Sequence, residues 1–424
     1  MDRPRTDAQP GNPEDPAASP AALRRVLVAL CITQLTGWGI LYYAYPVMLA
    51  AVTADTGWST STAFGAFSAG LLASAVAAPW VGRLLDRVGP RPVMAWGSVL
   101  GAVSLVAVAL APGLPWFVLA WVAVGLAQSA VLYPPAFAAL TRWYGPRRVS
   151  AITTLTVMGG LAGTVFAPVT ALLLRHLSWQ ATTLVLAGVL AAVTIPLHAR
   201  YLNLPWPAAG SRGEEGGTDG STGYVRQTAT SRPFVLLLVV LGLAGFGLFG
   251  ATLNLIPFLA EHGVSNEVAA VVFGLVGIGQ FVGRFGYPRL SRRLAAPVRA
   301  TLVLGVGALM LATLATVPAV LAVVVVATIG AGAARGIYTL LQATSVSDRW
   351  GTRSFGSLNG ISTVPTTAAM VVAPAGGAYL AELVGSYTTA FYLLAAMTAL
   401  GALIALGTGP RGPVTPVGTG PATE

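Results

Sequence analysis

Gly82-Arg83-Leu84-Leu85-Asp86-Arg87-Val88-Gly89-Pro90-Arg91 is a charged decapeptide set between two uncharged stretches, residues 62–81 and 92–111. A bilayer hydrocarbon core of about 30 Å takes about 20 predominantly apolar residues per helix, so each stretch is long enough to cross. The decapeptide is then a tight turn joining two membrane helices. Its glycines permit the bend, and Asp86 lies among Arg83, Arg87 and Arg91, where it can be paired.

The rest of the composition agrees. Hydrophobic residues make up 55% of the chain and charged ones 9%, a membrane balance rather than a soluble one. The 24 basic residues are all Arg, with a net charge of +10. In a soluble protein that excess would point to nucleic acid; here the arginines fall in alternate short loops, so topology accounts for them and no nucleic-acid partner is expected. Cys31 is the single cysteine, which excludes an internal disulfide. Residues 1–22, rich in Pro, Asp and Ala, carry no apolar core of a signal peptide and are expected to be a disordered cytoplasmic tail.

Apolar runs recur near 26–50, 62–82, 93–111, 115–138, 150–173 and 180–199, then near 233–259, 267–288, 299–316, 319–344, 356–380 and 386–407. The expected fold is therefore all-α, with twelve transmembrane helices. Arg24, Arg25, Arg83, Arg87, Arg91, Arg142, Arg147, Arg148, Arg200, Arg289, Arg292, Arg293 and Arg349 all fall on one side, and Arg175 alone on the other. By the positive-inside rule both termini are cytoplasmic, in a multi-pass protein of the plasma (inner) membrane. Residues 201–232, rich in Gly, Ser and Thr, are expected to be a flexible cytoplasmic linker between six-helix halves at 23–200 and 233–408, with 409–424 a second tail. The halves repeat. Gly82 to Arg87 aligns with Pro288 to Arg293, Arg142-Trp143 with Arg349-Trp350, and Ala167-Pro168 with Ala373-Pro374, all at an offset of about 206 positions.

The decapeptide resembles the signature loop between the second and third helices of the major facilitator superfamily, G-x-L-x-D-R-x-G-x-R, with every defining position filled. The resemblance implies two pseudo-repeated six-helix halves around a central site. It also implies a gating role for Gly82, Asp86, Arg87, Gly89 and Arg91, with Arg142, Arg147 or Arg148 as partners of Asp86. In the second copy Pro288 replaces the first Gly and Arg292 the Asp, so that role belongs mainly to the first copy.

Two arginines fall where topology does not demand them. Arg284 lies within the eighth span and Arg335 well inside the tenth. A helix-centre Arg costs about 2.5–3.5 kcal/mol even on the lenient insertion scale, so each needs a partner, a watery cavity or a route to the interface. A guanidinium can grip a carboxylate bidentately, which makes both candidates for an anion site. Arg284 could instead snorkel to the headgroups, and Arg335 could bond carbonyls beside Gly332 and Gly336. No Asp or Glu sits in the interior of any span, and an anionic substrate could supply the missing charge.

A narrower resemblance rests on Gly283-Arg284, Gly37-Trp38-Gly39, Gly57-Trp58-Ser59, and Arg142-Trp-Tyr-Gly-Pro-Arg-Arg148 followed by Gly159-Gly160. These are similar to the monocarboxylate transporter and oxalate–formate exchanger branch. There an eighth-helix Arg binds the substrate carboxylate, matching Arg284. Gln280 stands where many proton-coupled members have an Asp, which puts the coupling proton in question. Gln34, Tyr42, Tyr133, Asn254 and Tyr338, in the first, fourth, seventh and tenth helices, are further candidates to line a cavity; interhelical hydrogen bonding is their alternative role.

Gly245-Phe-Gly247-Leu-Phe-Gly250 spells a dinucleotide-binding string inside an apolar span, where helix packing explains it better. No metal-ligand cluster and no nucleophile–base arrangement is present, so neither enzyme nor cofactor is expected. The expected function is a secondary active or facilitative carrier, monomeric, for a small monocarboxylate-like anion; the alternative is an efflux carrier for a drug or secondary metabolite.

Overall fold

A computed structural model describes residues 19–206, 218–317, 320–351 and 355–409. Twelve helices in it are long and apolar enough to span a membrane. They are α1 (Pro20–Thr56), α2 (Thr60–Val88), α3 (Pro90–Ala109), α4 (Leu114–Tyr144), α5 (Ser150–Leu174) and α6 (Trp179–Tyr201), then α7 (Arg232–Leu253), α8 (Asn266–Arg293), α9 (Ala296–Thr316), α10 (Leu321–Thr344), α11 (Leu358–Val384) and α12 (Tyr387–Thr408). No strand occurs among the described residues. Trp96, Val103, Leu119, Leu309, Val326, Leu383 and Leu403 are all at least 60% exposed. An apolar outer surface of this kind suits hydrocarbon, not water, and the protein is a multi-pass membrane protein.

Local signals set the helix starts. Ser59, Ser178, Ser265 and Ser386 accept hydrogen bonds from first-turn N–H groups of α2, α6, α8 and α12. Gly57 and Gly263 end the preceding helices in the left-handed region, at φ 72° and 76°. Ser59 and Ser265, like Gly57 and Gly263, stand about 206 positions apart, the offset of the sequence repeat.

Packing repeats in the same way. α2 lies on α4 as α8 lies on α10; α3 touches α4 and α6 as α9 touches α10 and α12; α1 meets α5 and α6 as α7 meets α11 and α12. The main contacts between the six-helix groups are α2 with α11 and α5 with α8. Missing side chains allow the close crossings. A Cβ on Gly125 would stand 1.8 Å from the Gly70 carbonyl oxygen, and one on Gly336 2.6 Å from that of Gln280.

Two boundaries differ from expectation. α1 begins at Pro20, capped by Ser19, so residues 20–22 are helical rather than tail. The 201–232 stretch is ordered at both ends. Leu202 and Leu204 join a cluster with Leu140 and Leu155, Trp206 packs near Leu85 and Val93, and a helix spans Thr218–Ala229. Tyr224, Val225 and Ala229 of that helix lie against Phe234, Val346 and Leu358. A Gly- and Ser-rich composition predicts flexibility only where no apolar residue finds a partner, and these do. Residues 1–18, 207–217 and 410–424, with most of both tails, lie outside the described residues.

A candidate anion site between the two six-helix groups

The first helix is distorted at mid-span. Gly39–Tyr43 is a π-helical turn, a feature that clusters at functional sites. Gln128 of α4 braces it, donating Nε2 to the Leu41 carbonyl at 2.7 Å. The turn presents an aromatic group: the Trp38 ring lies 5.4 Å from Tyr42 and 4.8 Å from Tyr133, and Tyr43 lies 5.9 Å from Phe273 of α8. α4 is itself interrupted at Leu132, just before Pro134 and Pro135. Pro135 has no N–H to give the carbonyl four residues back, Val131, and Gln34 Nε2 donates to that oxygen at 2.7 Å.

Arg284 turns inward across the interface. Its Nη1 donates to the Thr156 carbonyl of α5 at 2.7 Å, and Tyr133 Oη donates to the same oxygen at 3.4 Å. Gly159 and Gly160 make the room. A Cβ at Gly159 would sit 2.4 Å from Tyr133 Oη, and one at Gly160 3.0 Å from Arg284 Nη1. Arg335 is 4% exposed, with its guanidinium carbon 4.5 Å from the centre of the Phe249 ring. It stands within reach of the Tyr42 hydroxyl, which can accept from it, and neither Arg335 Nη1 nor Tyr42 Oη bonds any other described residue.

Trp38 Nε1 and Gln280 Nε2 are buried and unpartnered among the described residues. Buried donors from α1, α8 and α10 thus have no acceptor among the described residues beyond the Tyr42 hydroxyl beside Arg335. Such groups are costly in a dry interior unless something arrives to accept from them. Trp38 and Tyr42 also wall a cavity of about 180 Å³, with Leu71, Gln128, Met370 and Val371 on its other sides; Arg284, Arg335 and Gln280 are not among its lining residues. The ion pairs between described residues are Arg175–Glu267 and Arg299–Asp348, so neither Arg284 nor Arg335 has a carboxylate partner among them. No group of His, Cys, Asp and Glu suited to a metal occurs among the described residues.

Other candidates lie elsewhere. Asn254 Nδ2 donates to the Gly250 carbonyl at 2.9 Å and the Pro374 carbonyl at 3.3 Å. Tyr338 donates to the Leu241 carbonyl at 2.6 Å and bonds Thr366 at 2.9 Å. These two tie α7 to α10 and α11, as Gln34 ties α1 to α4. The structure brings together Arg335, Tyr42 and Trp38, and separately Arg284 and Tyr133. Trp38, Phe249, Thr156 and the roles of Gly159 and Gly160 were not assigned from the residues alone. Pro135 was a readable sign that Val131 needs an outside donor.

On the Arg-rich face the Gly82–Arg91 segment is not the expected loop. Gly82–Val88 continue α2, Pro90 and Arg91 open α3, and only Gly89, at φ 82°, breaks the helix. Its left-handed backbone turns the chain in one residue. Arg87 and Arg91 are exposed. Asp86 forms no ion pair with a described residue; its carbonyl accepts from Trp206 Nε1 at 3.3 Å. Arg142 covers the same indole, its guanidinium carbon 4.2 Å from the ring centre. The expected ion pair of Asp86 with Arg142, Arg147 or Arg148 is therefore not formed among the described residues, because the Asp86 side chain is exposed and Trp206 meets only its backbone carbonyl.

The description of the family model that matches residues 27–364 is "Major Facilitator Superfamily". Monocarboxylate transporter 13 of Rattus norvegicus is 24% identical over 88% of this chain and 84% of its own length. The Fujikurins efflux protein of Gibberella fujikuroi is 24% identical over 49% of this chain and 43% of its own. Among solved structures, the nucleoside transporter NupG superposes with a TM-score of 0.71 at 14% identity, covering 91% of this chain and 98% of that one. That similarity concerns the fold alone.

Proposed function

The chain belongs to the major facilitator superfamily, and on that premise we propose that it carries a small monocarboxylate-like anion across the plasma membrane by alternating access. The observation that carries this reading is the pair of intramembrane guanidiniums without a carboxylate partner among the described residues. The monocarboxylate transporter relatives support it. Gln280 cannot exchange a proton, so coupling would ride on the substrate's own carboxyl. Both termini would be cytoplasmic, because the Arg-rich face is the one they share.

Arg284 supplies a route from binding to movement. Its bond to Thr156 joins α8 to α5, and so one six-helix group to the other. A carboxylate is a stronger acceptor than a neutral carbonyl and would draw the guanidinium away from Thr156. Toward the Arg-poor face the groups stay tied: Thr164 to the Gly274 carbonyl at 2.7 Å, and Ser61 to the Glu382 carboxylate at 2.8 and 2.6 Å. Arg284 is the contact a substrate would release first, and the Gly82–Arg91 segment at the α2–α3 junction would latch the Arg-rich side.

The test is uptake of labelled mono- and dicarboxylates into liposomes by the purified protein, with and without a pH gradient. Arg284→Ala is expected to lower saturable uptake at least about tenfold, a loss of one charge-assisted bond's worth of binding. Full transport by folded Arg284→Ala would end the anion-site assignment. A second reading, efflux of a larger compound, is favoured by the Fujikurins efflux relative and the aromatic wall at Trp38, Tyr42 and Tyr133. It predicts no acid uptake from folded protein and raised toxin sensitivity when the gene is lost.

A further inference from the structure

On the outer wall of the bundle, a cavity of about 500 Å³ opens between α1 and α6. Arg24 and Arg25 form its end at the Arg-rich face, with Tyr201; Val28, Ile32 and Leu197 line its deeper part. Val28 and Ile32 are 51% and 40% exposed although they face away from the central site. We infer that this groove binds one anionic glycerophospholipid, its phosphate between Arg24 and Arg25 and an acyl chain along Val28, Ile32 and Leu197.

Three observations commit the groove to a lipid. The first is length. From Ala21 to Ile32 the α1 wall rises about 16 Å, half the hydrocarbon core of about 30 Å, so the groove is one leaflet deep. A partner helix would need a groove across both leaflets. The second is polarity, with charge at the interface end and only apolar groups below it, the sequence of a lipid read from headgroup to tail. The third is contrast with two other grooves on the outer wall. The cavity between α9 and α12, walled by Gly305, Ala308 and Leu309, has no charged residue, and neither has the one beside Leu84, Trp96 and Leu126. Those suit acyl chains of any lipid. The repeat does not reproduce the arginine pair either: about 206 positions on, Thr230 and Ser231 stand in its place. Two guanidiniums at the membrane surface select for an anionic headgroup.

The experiment is native mass spectrometry of the full-length, delipidated protein titrated with dioleoylphosphatidylglycerol or dioleoylphosphatidylcholine. The expected result is one retained phosphatidylglycerol per chain, bound at least about fivefold more tightly than phosphatidylcholine. Arg24→Gln/Arg25→Gln should abolish that preference, whereas Arg292→Gln/Arg293→Gln, which removes as much charge from the same face, should keep it. Val28→Trp should fill the groove and weaken binding with both arginines in place. Equal retention of the two lipids, equal loss in both arginine double variants, or displacement of the lipid by millimolar inorganic phosphate would each overturn the inference. Circular dichroism confirms that each variant is folded before it is counted.

Discussion

The two six-helix groups carry the same Arg-Trp pair, Arg142-Trp143 and Arg349-Trp350, and fix it by different physics. In both, the arginine holds the chain just where the group's sixth helix ends. Arg142 lies over Trp206, five residues beyond α6, while Arg349 donates to the carbonyl and hydroxyl of Thr408 at the end of α12. Around Arg142 the contacts are aromatic and half-exposed: Trp143 and Trp206 meet edge to face at 6.0 Å, and Trp143 Nε1 donates to the Pro205 carbonyl at 3.1 Å. Arg349 is itself buried and bonded to neutral oxygens of Thr408 and Ser345, with a separate ion pair alongside. Arg299, 3% exposed, pairs with Asp348 and bonds Ser291, with the Tyr287 ring 5.2 Å from its guanidinium carbon. Burial pushes Arg349 itself down to about 10. A duplicated architecture thus preserves the position of a clamp without preserving its chemistry. The first copy, next to the Gly82–Arg91 segment, is the more exposed of the two.

That contrast makes ordered predictions. The largest effect belongs to the buried pair: Asp348→Ala strands the Arg299 charge and should cost about 3–5 kcal/mol, read as a lowered thermal midpoint in detergent. Replacing both partners, Arg299→Met with Asp348→Leu, should recover most of that loss. If Asp348→Ala were as mild as a surface substitution, the ion pair beside the second clamp would not support it. Next comes Trp206→Ala, which removes an edge-to-face contact, a cation–π contact and the bond to the Asp86 carbonyl. A loss of about 1–2 kcal/mol is expected, with faster amide exchange across Gly82–Arg91 and unchanged exchange near Arg349. Exchange that rose equally in both places would mean the clamps are coupled.

The smallest effect lies on the opposite face, where Glu261 accepts from Ser386 Oγ at 2.8 Å and from the Tyr387 N–H at 2.7 Å. Partial burial pushes its carboxyl up, but these bonds together outweigh it and hold the group below its ordinary value of 4.5. A carboxyl with a depressed pKa in the fold contributes stability above its unfolded value and loses it as pH falls through the folded one. Its contribution should therefore be lost as pH falls below 4.5, and Glu261→Gln should flatten that part of the stability profile only slightly, because solvent screens an exposed carboxylate.

The site was legible only in part, for reasons that differ by residue. Arg284 and Arg335 stood out because charge inside an apolar run is expensive wherever the helix points. Asn254, Tyr338 and Gln34 looked equivalent to Tyr42, since a polar residue in a span has the same signature whether it faces a cavity or a neighbouring backbone. What separates them is whether a carbonyl lies within reach: Leu241 for Tyr338, Pro374 for Asn254, Val131 for Gln34. Those partners are about 100 residues away or more for each side chain. The 201–232 stretch misled for a related reason, because its few apolar residues find their partners on other helices.

Span number, helix punctuation by Ser59 and Gly57, the internal repeat and the Arg-rich face were all determined by the chain itself. They depend on local length, local capping and the cost of charge in hydrocarbon, which need no knowledge of neighbours. Tertiary structure alone decided that Arg284 reaches Thr156, that Arg335 meets Tyr42, that Gly159 and Gly160 clear space for Tyr133 and Arg284, and that Trp206 packs against the α2–α3 junction. Each is a meeting of side chains from distant helices, set by where the backbones cross.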